Sequence, residues 1–189
     1  MNAMDNTLNT ALLVMDMQSS ILGNIANPIP IIKNVSDTIN KARNKKIPVI
    51  YVVVGFRQGI PEISPDNKFF STAKQRFSSV SPEEWMRIHP DVPPQDGDII
   101  TVKRRISAFA GSDLEIVLRA QGIRHLILTG VSTGGVVLST LREAADKDFK
   151  LTVLSDCCAD ADEEVHRVLT TKVFPRQADV LACNDWVKG

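Results

Sequence analysis

The sequence predicts an α/β fold in which a parallel sheet is covered by helices on both faces, joined by right-handed crossovers. Short apolar runs such as residues 11–15 (ALLVM) and 48–54 (PVIYVVV) have no polar alternation, as expected of strands buried on both faces. Stretches with helical spacing of apolar residues separate these runs, and strand–helix alternation implies a parallel sheet. Residues 123–142 (IRHLILTGVSTGGVVLSTLR) pass from an apolar run through a Gly-rich turn into a helical pattern. Ligands of open α/β sheets bind where strands end and helices begin, so this stretch is the first candidate for chemistry.

The remaining elements follow in chain order. Residues 1–9 are polar and are expected to fray. Residues 11–15 form the first strand and end in Asp16. Pro28-Ile29-Pro30 opens a helix whose apolar positions are Ile31, Ile32, Val35, Ile39 and Ala42, with Lys45-Lys46 in its last turn. Residues 48–54 form the second strand. Residues 55–98 are irregular and rich in Pro, Gly, Ser and Asn. A connection of that length is usually a lid or an oligomer contact. Two short helices fit inside it, at 69–75 and at 82–88, the second capped by Ser81 with Glu84 three positions on. Residues 99–102 form a third strand leading into Lys103. Residues 112–121 form a helix with Ser112 as N-cap, Glu115 completing a capping box and Gly122 as terminator. Residues 125–129 and 149–154 are the fourth and fifth strands. A helix at 162–174 stops at Pro175, and residues 179–182 make a short sixth strand. No internal repeat or domain boundary interrupts the 189 residues, which read as a single domain, 1–189.

Composition narrows the partners. Hydrophobic residues make up 43% of the chain, and the 22 basic and 22 acidic residues cancel. Nothing there points to nucleic acid or a membrane surface held by bulk charge. No apolar stretch reads as a membrane span or leader. Three cysteines, none in a CxxC pair, suit a reducing, cytoplasmic setting. The three histidines have no ligand spacing. The expected partner is a small-molecule substrate, with no cofactor and no metal. Phe69, Phe70 and Trp85 in the long loop are expected to be exposed and to cover a neighbouring subunit in a homo-oligomer.

Asp16, Lys103, the Gly130–Gly135 turn and Asp156 all follow apolar runs directly, and in a parallel sheet such positions share one edge. An Asp and a Lys there can meet in a cleft, although a strand-end charge can equally cap a strand or pair at the surface. Burial would favour protonated Asp16 and a nearby ammonium would favour its ionised form, so the two would titrate together.

TALLVMDMQ at 10–18, VKRRISAFAGSDLEIVLRAQGIRHLILTGVSTGGVVLSTLREAADKDF at 102–149 and LTVLSDCCAD at 151–160 resemble the isochorismatase-like hydrolases, which include nicotinamidases, N-carbamoyl amidohydrolases and isochorismatases. The likeness is weakest across 55–98. It implies a three-layer α/β/α, Rossmann-like domain with a six-stranded, mainly parallel sheet. It places the family's catalytic aspartate on Asp16 and its lysine on Lys103. The family's G-V-x-T-x-x-C-V turn falls on Gly130–Val137, so its nucleophilic cysteine falls on Val136. Valine cannot form a thioester, which leaves the chemistry of the family's isochorismatases: protonation and hydration of an enol (vinyl) ether, releasing pyruvate.

The resemblance further implies a cis Val131–Ser132 peptide, and substrate contacts from Ser132, Thr133, Gly134, Gly135 and Val136. Gln18 either orients the Asp–Lys pair or is a loop residue. Arg57, Lys68 and Arg76 either bind substrate carboxylates or are solvated, and Arg104 and Arg105 face either inward or outward. The family's metal-binding members carry an acidic and histidine cluster after the second strand. Here that region reads VVVGFRQG, without histidine, so the site is expected to be metal-free. Two other readings stay open. One is an amidase using Ser132, Ser139 or Cys157 as nucleophile; the other is an inactive scaffold that binds a metabolite or a protein.

Overall fold

The computed structural model describes residues 9–186. Among them β1 (Thr10–Met15), β2 (Val49–Val54), β3 (Ile99–Lys103), β4 (His125–Val131), β5 (Lys150–Ala159) and β6 (Asp179–Leu181) form one sheet. Its order is β3-β2-β1-β4-β5-β6 and every pairing is parallel. The chain builds outward from β1 to β3, then returns to the other side of β1 with β4. The carboxyl ends of β1 and β4 are therefore the switch point of the sheet, where a crevice opens in folds of this type.

β1 is buried along its whole length because both faces are covered. Leu13 and Met15 pack on one side with Leu118 of α5 (Leu114–Ala120) and Leu141 of α6 (Leu138–Asp146). Leu12 and Val14 pack on the other with Val35 and Ile39 of α2 (Ile29–Asn44). This alternation follows from the period-two pleat of a strand. The short helix α1 (Ser19–Leu22) was not expected. Among the described residues no helix is long and apolar enough to cross a membrane. The fraying expected of residues 1–9 falls, apart from Asn9, outside the described residues.

Several boundaries differ from expectation for identifiable reasons. β4 runs on through Gly130 to Val131, and β5 continues to Ala159 instead of ending at Leu154. The β4–β5 register slips between Leu128 and Gly130, which lets β5 carry Ser155 and Asp156 without leaving the sheet. Asp156 is thereby removed from the site edge. Its Oδ1 accepts from the Cys183 N–H at 2.8 Å, and its carbonyl accepts from Asn34 at 2.8 Å. α5 starts at Leu114 with Asp113 before it, yet the Ser112 Oγ still accepts from the Leu114 N–H at 3.2 Å; Glu115, expected to complete a capping box, pairs with Lys147 at 2.7 Å. The basic residues in the last turn of α2 are Lys41 and Arg43; Lys45 and Lys46 lie just beyond. The single helix expected at 162–174 is α7 (Glu163–Val168), a π-helical turn (Leu169–Val173) and a 3₁₀ turn at Pro175.

The 55–98 connection holds α3 (Lys68–Phe77) and α4 (Pro82–Trp85), the latter capped by Ser81, whose Oγ accepts from the Glu84 N–H at 3.2 Å. Phe70 and Trp85 turn inward, 3% and 5% exposed, while Phe69 is 61% exposed. Phe77 stacks edge-on against Trp85 at 4.8 Å and tilts onto Phe56 at the same distance. The expected outward-facing aromatic surface is thus largely an inward wall. Gln18 fastens this segment. Its amide N–H groups donate to the carbonyls of Val54 (3.1 Å) and Trp85 (2.7 Å), and its Oε1 accepts from the Val54 N–H at 2.7 Å. An isolated antiparallel bridge between Gln18 and Ile88 adds to the clamp.

Gly130 sits at φ +137°, and a Cβ there would lie 2.1 Å from the Met15 carbonyl oxygen. Gly122 has φ +66° but open space around it. Gly130→Ala should therefore cost about 2–4 kcal/mol, against about 1 kcal/mol for Gly122→Ala, in the midpoint and slope of urea unfolding.

Candidate active site

Asp16 follows β1 directly, at φ 54°, with its N–H donated to the Val52 carbonyl at 2.8 Å. Lys103 ends β3, the edge strand, so β2 lies between the two residues. Two inter-strand spacings amount to about 9–10 Å, and a four-carbon stem can cross the end of β2. Lys103 Nζ meets Asp16 Oδ2 at 2.8 Å, with the side chains 2% and 8% exposed. The same ammonium donates to the carbonyls of Arg105 (3.2 Å) and Ile106 (2.7 Å). Those contacts occupy all three of its N–H groups. Asp16 Oδ1 is buried and has no hydrogen-bond partner. Burial pushes the Asp16 carboxyl above the usual carboxylate range, and the charge and hydrogen bond of Lys103 pull it only part of the way back.

The Gly-rich turn closes the other side. The Val131–Ser132 peptide is cis. After Ser132 comes a π-helical turn, Thr133–Val137, which leads straight into α6. A Cβ on Gly135 would sit 2.6 Å from Ser132 Oγ, so glycine makes room for that hydroxyl. Ser132, Gly135 and Val136 line a cavity of about 270 Å³ together with Asp16 and Lys103. Thr133 is fully buried, its Oγ1 2.8 Å from His166 Nδ1, and does not reach the cavity. Gly134 is also outside the lining, and its N–H donates to Asp160 Oδ2 at 2.7 Å. Gln18 acts on the backbone of Val54 and Trp85, not on the Asp–Lys pair.

Most of the cavity wall is apolar. Ile21, Val54, Phe70, Phe77, Trp85 and Ile106 make up much of it. Of the loop cations only Arg76 lines the cavity, while Arg57 pairs with Glu62 at 2.7 Å and Lys68 stands apart. Arg104 and Arg105 are also outside the lining, bonded to the carbonyls of Gly55 and Glu62, each at 2.8 Å. Of the lining residues that the sequence reading missed, Asp160 carries a charge and Trp85 an unpaired buried donor. Asp160 was hidden because β5 is longer than its apolar run. The Trp85 indole, whose buried Nε1 has no acceptor, was hidden because its side chain was expected to point outward.

The cysteines do not serve this cavity. Cys157 and Cys158 lie on β5 and pack into opposite faces of the core. Burial raises both thiols, Cys158 to about 12. Cys157 bonds to Thr38 at 3.3 Å. Asp156, Cys157 and Cys183 hold ligand-type atoms within 4.8 Å of one another, and none of the three lines the cavity. His125 lies at the other end of β4, between Thr10 and Thr152, with its ring pushed down to about 4 by burial.

The family model described as isochorismatase domain matches residues 10–185. The chain is 34% identical over 179 residues to the uncharacterized isochorismatase family protein YecD of Escherichia coli O157:H7, covering 93% of each chain. It is 30% identical to the ureidoacrylate amidohydrolase RutB of Yersinia enterocolitica, covering 82% of this chain and 77% of that one. The crystal structure of a cysteine hydrolase from Pseudomonas syringae pv. phaseolicola superposes with a TM-score of 0.89 at 22% identity, covering 99% of this chain and 94% of the other. On the match along 10–185 and on these relatives, the chain belongs to the isochorismatase family of hydrolases.

Proposed function

We propose that this chain hydrolyses the enol ether of a small carboxylate, isochorismate or a compound like it, releasing pyruvate without a thiol. The carrying observation is the Asp16 carboxyl. One oxygen is held by Lys103, and the other is buried, unpartnered and part of a cavity-lining residue. Val136, 2% exposed on the facing turn, stands where the resemblance puts a cysteine, and supplies no nucleophile.

The chemistry needs one proton donor. Protonated Asp16 delivers its proton to the terminal CH₂ of the enolpyruvyl group, and the C=C electron pair forms the new C–H bond. An oxocarbenium ion remains, and the newly ionised carboxylate beside it stabilises that charge. Water adds to the cation and loses a proton, giving a hemiketal that collapses to pyruvate and an alcohol. Lys103 orients the carboxyl and keeps it within reach of ionisation. General acid catalysis of this kind contributes about 10²–10⁴-fold.

The relative that is an amidohydrolase supports a second reading, in which Ser132 attacks a small amide. Ser132 is favoured for that role over Ser139 and Cys157 because its residue lines the cavity and theirs do not.

Asp16→Asn should lower pyruvate release from isochorismate or another enolpyruvyl ether by about 10²–10⁴-fold. Undiminished turnover by that variant, or no pyruvate from any enol ether tried with the wild type, overturns the proposal. Because the acid form of Asp16 is the reactive one, kcat/KM should fall as pH rises through its upshifted pKa. Lys103→Gln removes the charge that holds that pKa down, so the falling limb should move to higher pH while the maximal rate drops. Ammonia release from ureidoacrylate, lost in Ser132→Ala, would favour the amidase reading instead.

A further inference from the structure

We infer that the cavity takes a ligand with a single carboxylate and a planar apolar body, and that Arg76 with the Trp85 indole N–H is the carboxylate's anchor. The inference rests on reading the Asp16 cavity as the substrate site. It narrows that reading to enolpyruvyl ethers whose one carboxylate is that of the enolpyruvyl group, on an aromatic or cyclohexenyl body, and so selects a compound like isochorismate over isochorismate itself, which carries two carboxylates.

The charges on the wall decide the number of carboxylates. Two cationic residues line the cavity, Lys103 and Arg76. Lys103 has no donor left, since Asp16, Arg105 and Ile106 take all three. A substrate carboxylate on Lys103 would have to displace one of those contacts. Asp160 adds negative charge at another part of the wall. Its two oxygens are taken by the N–H groups of Gly134 (2.7 Å) and Asp162 (3.3 Å), so it offers a second carboxylate only repulsion.

Arg76 is the opposite case. It lies in the last turn of α3, and among the described residues it forms no ion pair. One Nη donates to the Ser20 carbonyl at 2.8 Å, and the guanidinium carbon stands 5.7 Å from the centre of the Trp85 ring. A guanidinium carries five N–H groups, and the fork suits a carboxylate. Trp85 is 5% exposed, and its Nε1–H has no acceptor. A buried donor left unpaired is costly, so a cavity wall is a natural place for one that takes up a ligand oxygen. The two donors sit on neighbouring side chains, since Arg76 packs on Trp85 itself. One carboxylate can take an N–H from each.

The rest of the wall selects the body. Phe77 lies edge-on to Trp85 at 4.8 Å and tilted against Phe70 at 6.0 Å, and Ile21 and Val136 face the same space. Such a lining favours a ring with few hydroxyls. A volume of about 270 Å³ is at the small end of ligand sites, roughly 300–1,000 Å³. A ligand with carboxylates at both ends would leave one of them with no cation, against apolar wall, Asp160 or the uncharged Asn24 and Ser132.

The test is calorimetric binding of benzoate, benzyl alcohol and isophthalate to the full chain, with no turnover required. Benzoate should bind at least tenfold more tightly than isophthalate. Arg76→Met, which keeps most of the length and removes the charge, and Trp85→Phe, which keeps an aromatic face and removes the N–H, should each weaken benzoate at least tenfold and benzyl alcohol less than threefold. The inference is overturned if wild-type protein does not bind benzoate, if isophthalate binds as well, or if either substitution leaves benzoate unaffected. Its failure is separable from failure of the chemistry. Pyruvate release that depends on Asp16, together with benzoate binding indifferent to Arg76, would sink only the anchor. Arg76-dependent benzoate binding with no enol ether hydrolysed would sink only the reaction.

Discussion

A carboxyl and an ammonium shut away from water hold this site together, and the placement of both follows from the strand order. Asp16 ends the central strand and Lys103 ends the edge strand, so the pair bridges the end of β2. Burying two charges is expensive, and a pair of this kind is weak ground for claims about stability. What it does provide is asymmetry within one carboxyl group. The Lys103 ammonium, braced by the Arg105 and Ile106 carbonyls, takes one Asp16 oxygen. The other is left with no partner in the interior. Burial outweighs the ammonium in setting the proton affinity of Asp16, which is the balance a proton donor needs.

The long connection after β2 is the second half of the design. Gln18, two residues beyond Asp16, has its amide committed to Val54 and Trp85. The strand that carries the acid therefore also fastens the segment that walls the cavity. Neighbouring residues reinforce that clamp: Ser20 Oγ donates to the Trp85 carbonyl at 3.2 Å, the Ser19 N–H to the Arg87 carbonyl at 3.1 Å and the His89 N–H to the Met17 carbonyl at 2.9 Å, while Phe77 packs against Trp85. The segment thus behaves as a fixed wall of the crevice at the switch point.

Much of this was legible in the residues. The runs ending at Met15 and Val54 are apolar because both faces of the sheet are covered there, and two-sided burial is the plainest signal a strand can give; β3, at the edge, is covered less, with Ile100 47% exposed. Asp16 and Lys103 stood out because each breaks such a run at its carboxyl end, and the structure brings them to 2.8 Å. Less could be read where a local rule lost to a tertiary contact. Glu115 fits a capping box with Ser112, but Lys147 from a distant helix claims it. Asp156 looks like a strand end, yet the slip beside Gly130 keeps it inside β5. Phe70 shares a helical face with Ala73 and Phe77 at i, i+3, i+7 spacing, a signal that the expectation of exposure overlooked, whereas the four residues of α4 are too few to mark the side that Trp85 buries.

The same frame accommodates more than one chemistry, which follows from how labour is divided among its parts. The aspartate and lysine come from strand ends that the sheet places rigidly. The turn from Val131 to Val137 comes from the junction of β4 and α6, where a side chain can change while the backbone path is kept. Gly130 and Gly135 hold that path, the first against the Met15 carbonyl and the second beneath the Ser132 hydroxyl. A thiol at position 136 would add a nucleophile to this frame. A valine there instead makes that part of the wall apolar, and the proposed reaction draws only on a proton donated by Asp16. In the proposed reaction the carbon skeleton is therefore attacked by water and never by the protein.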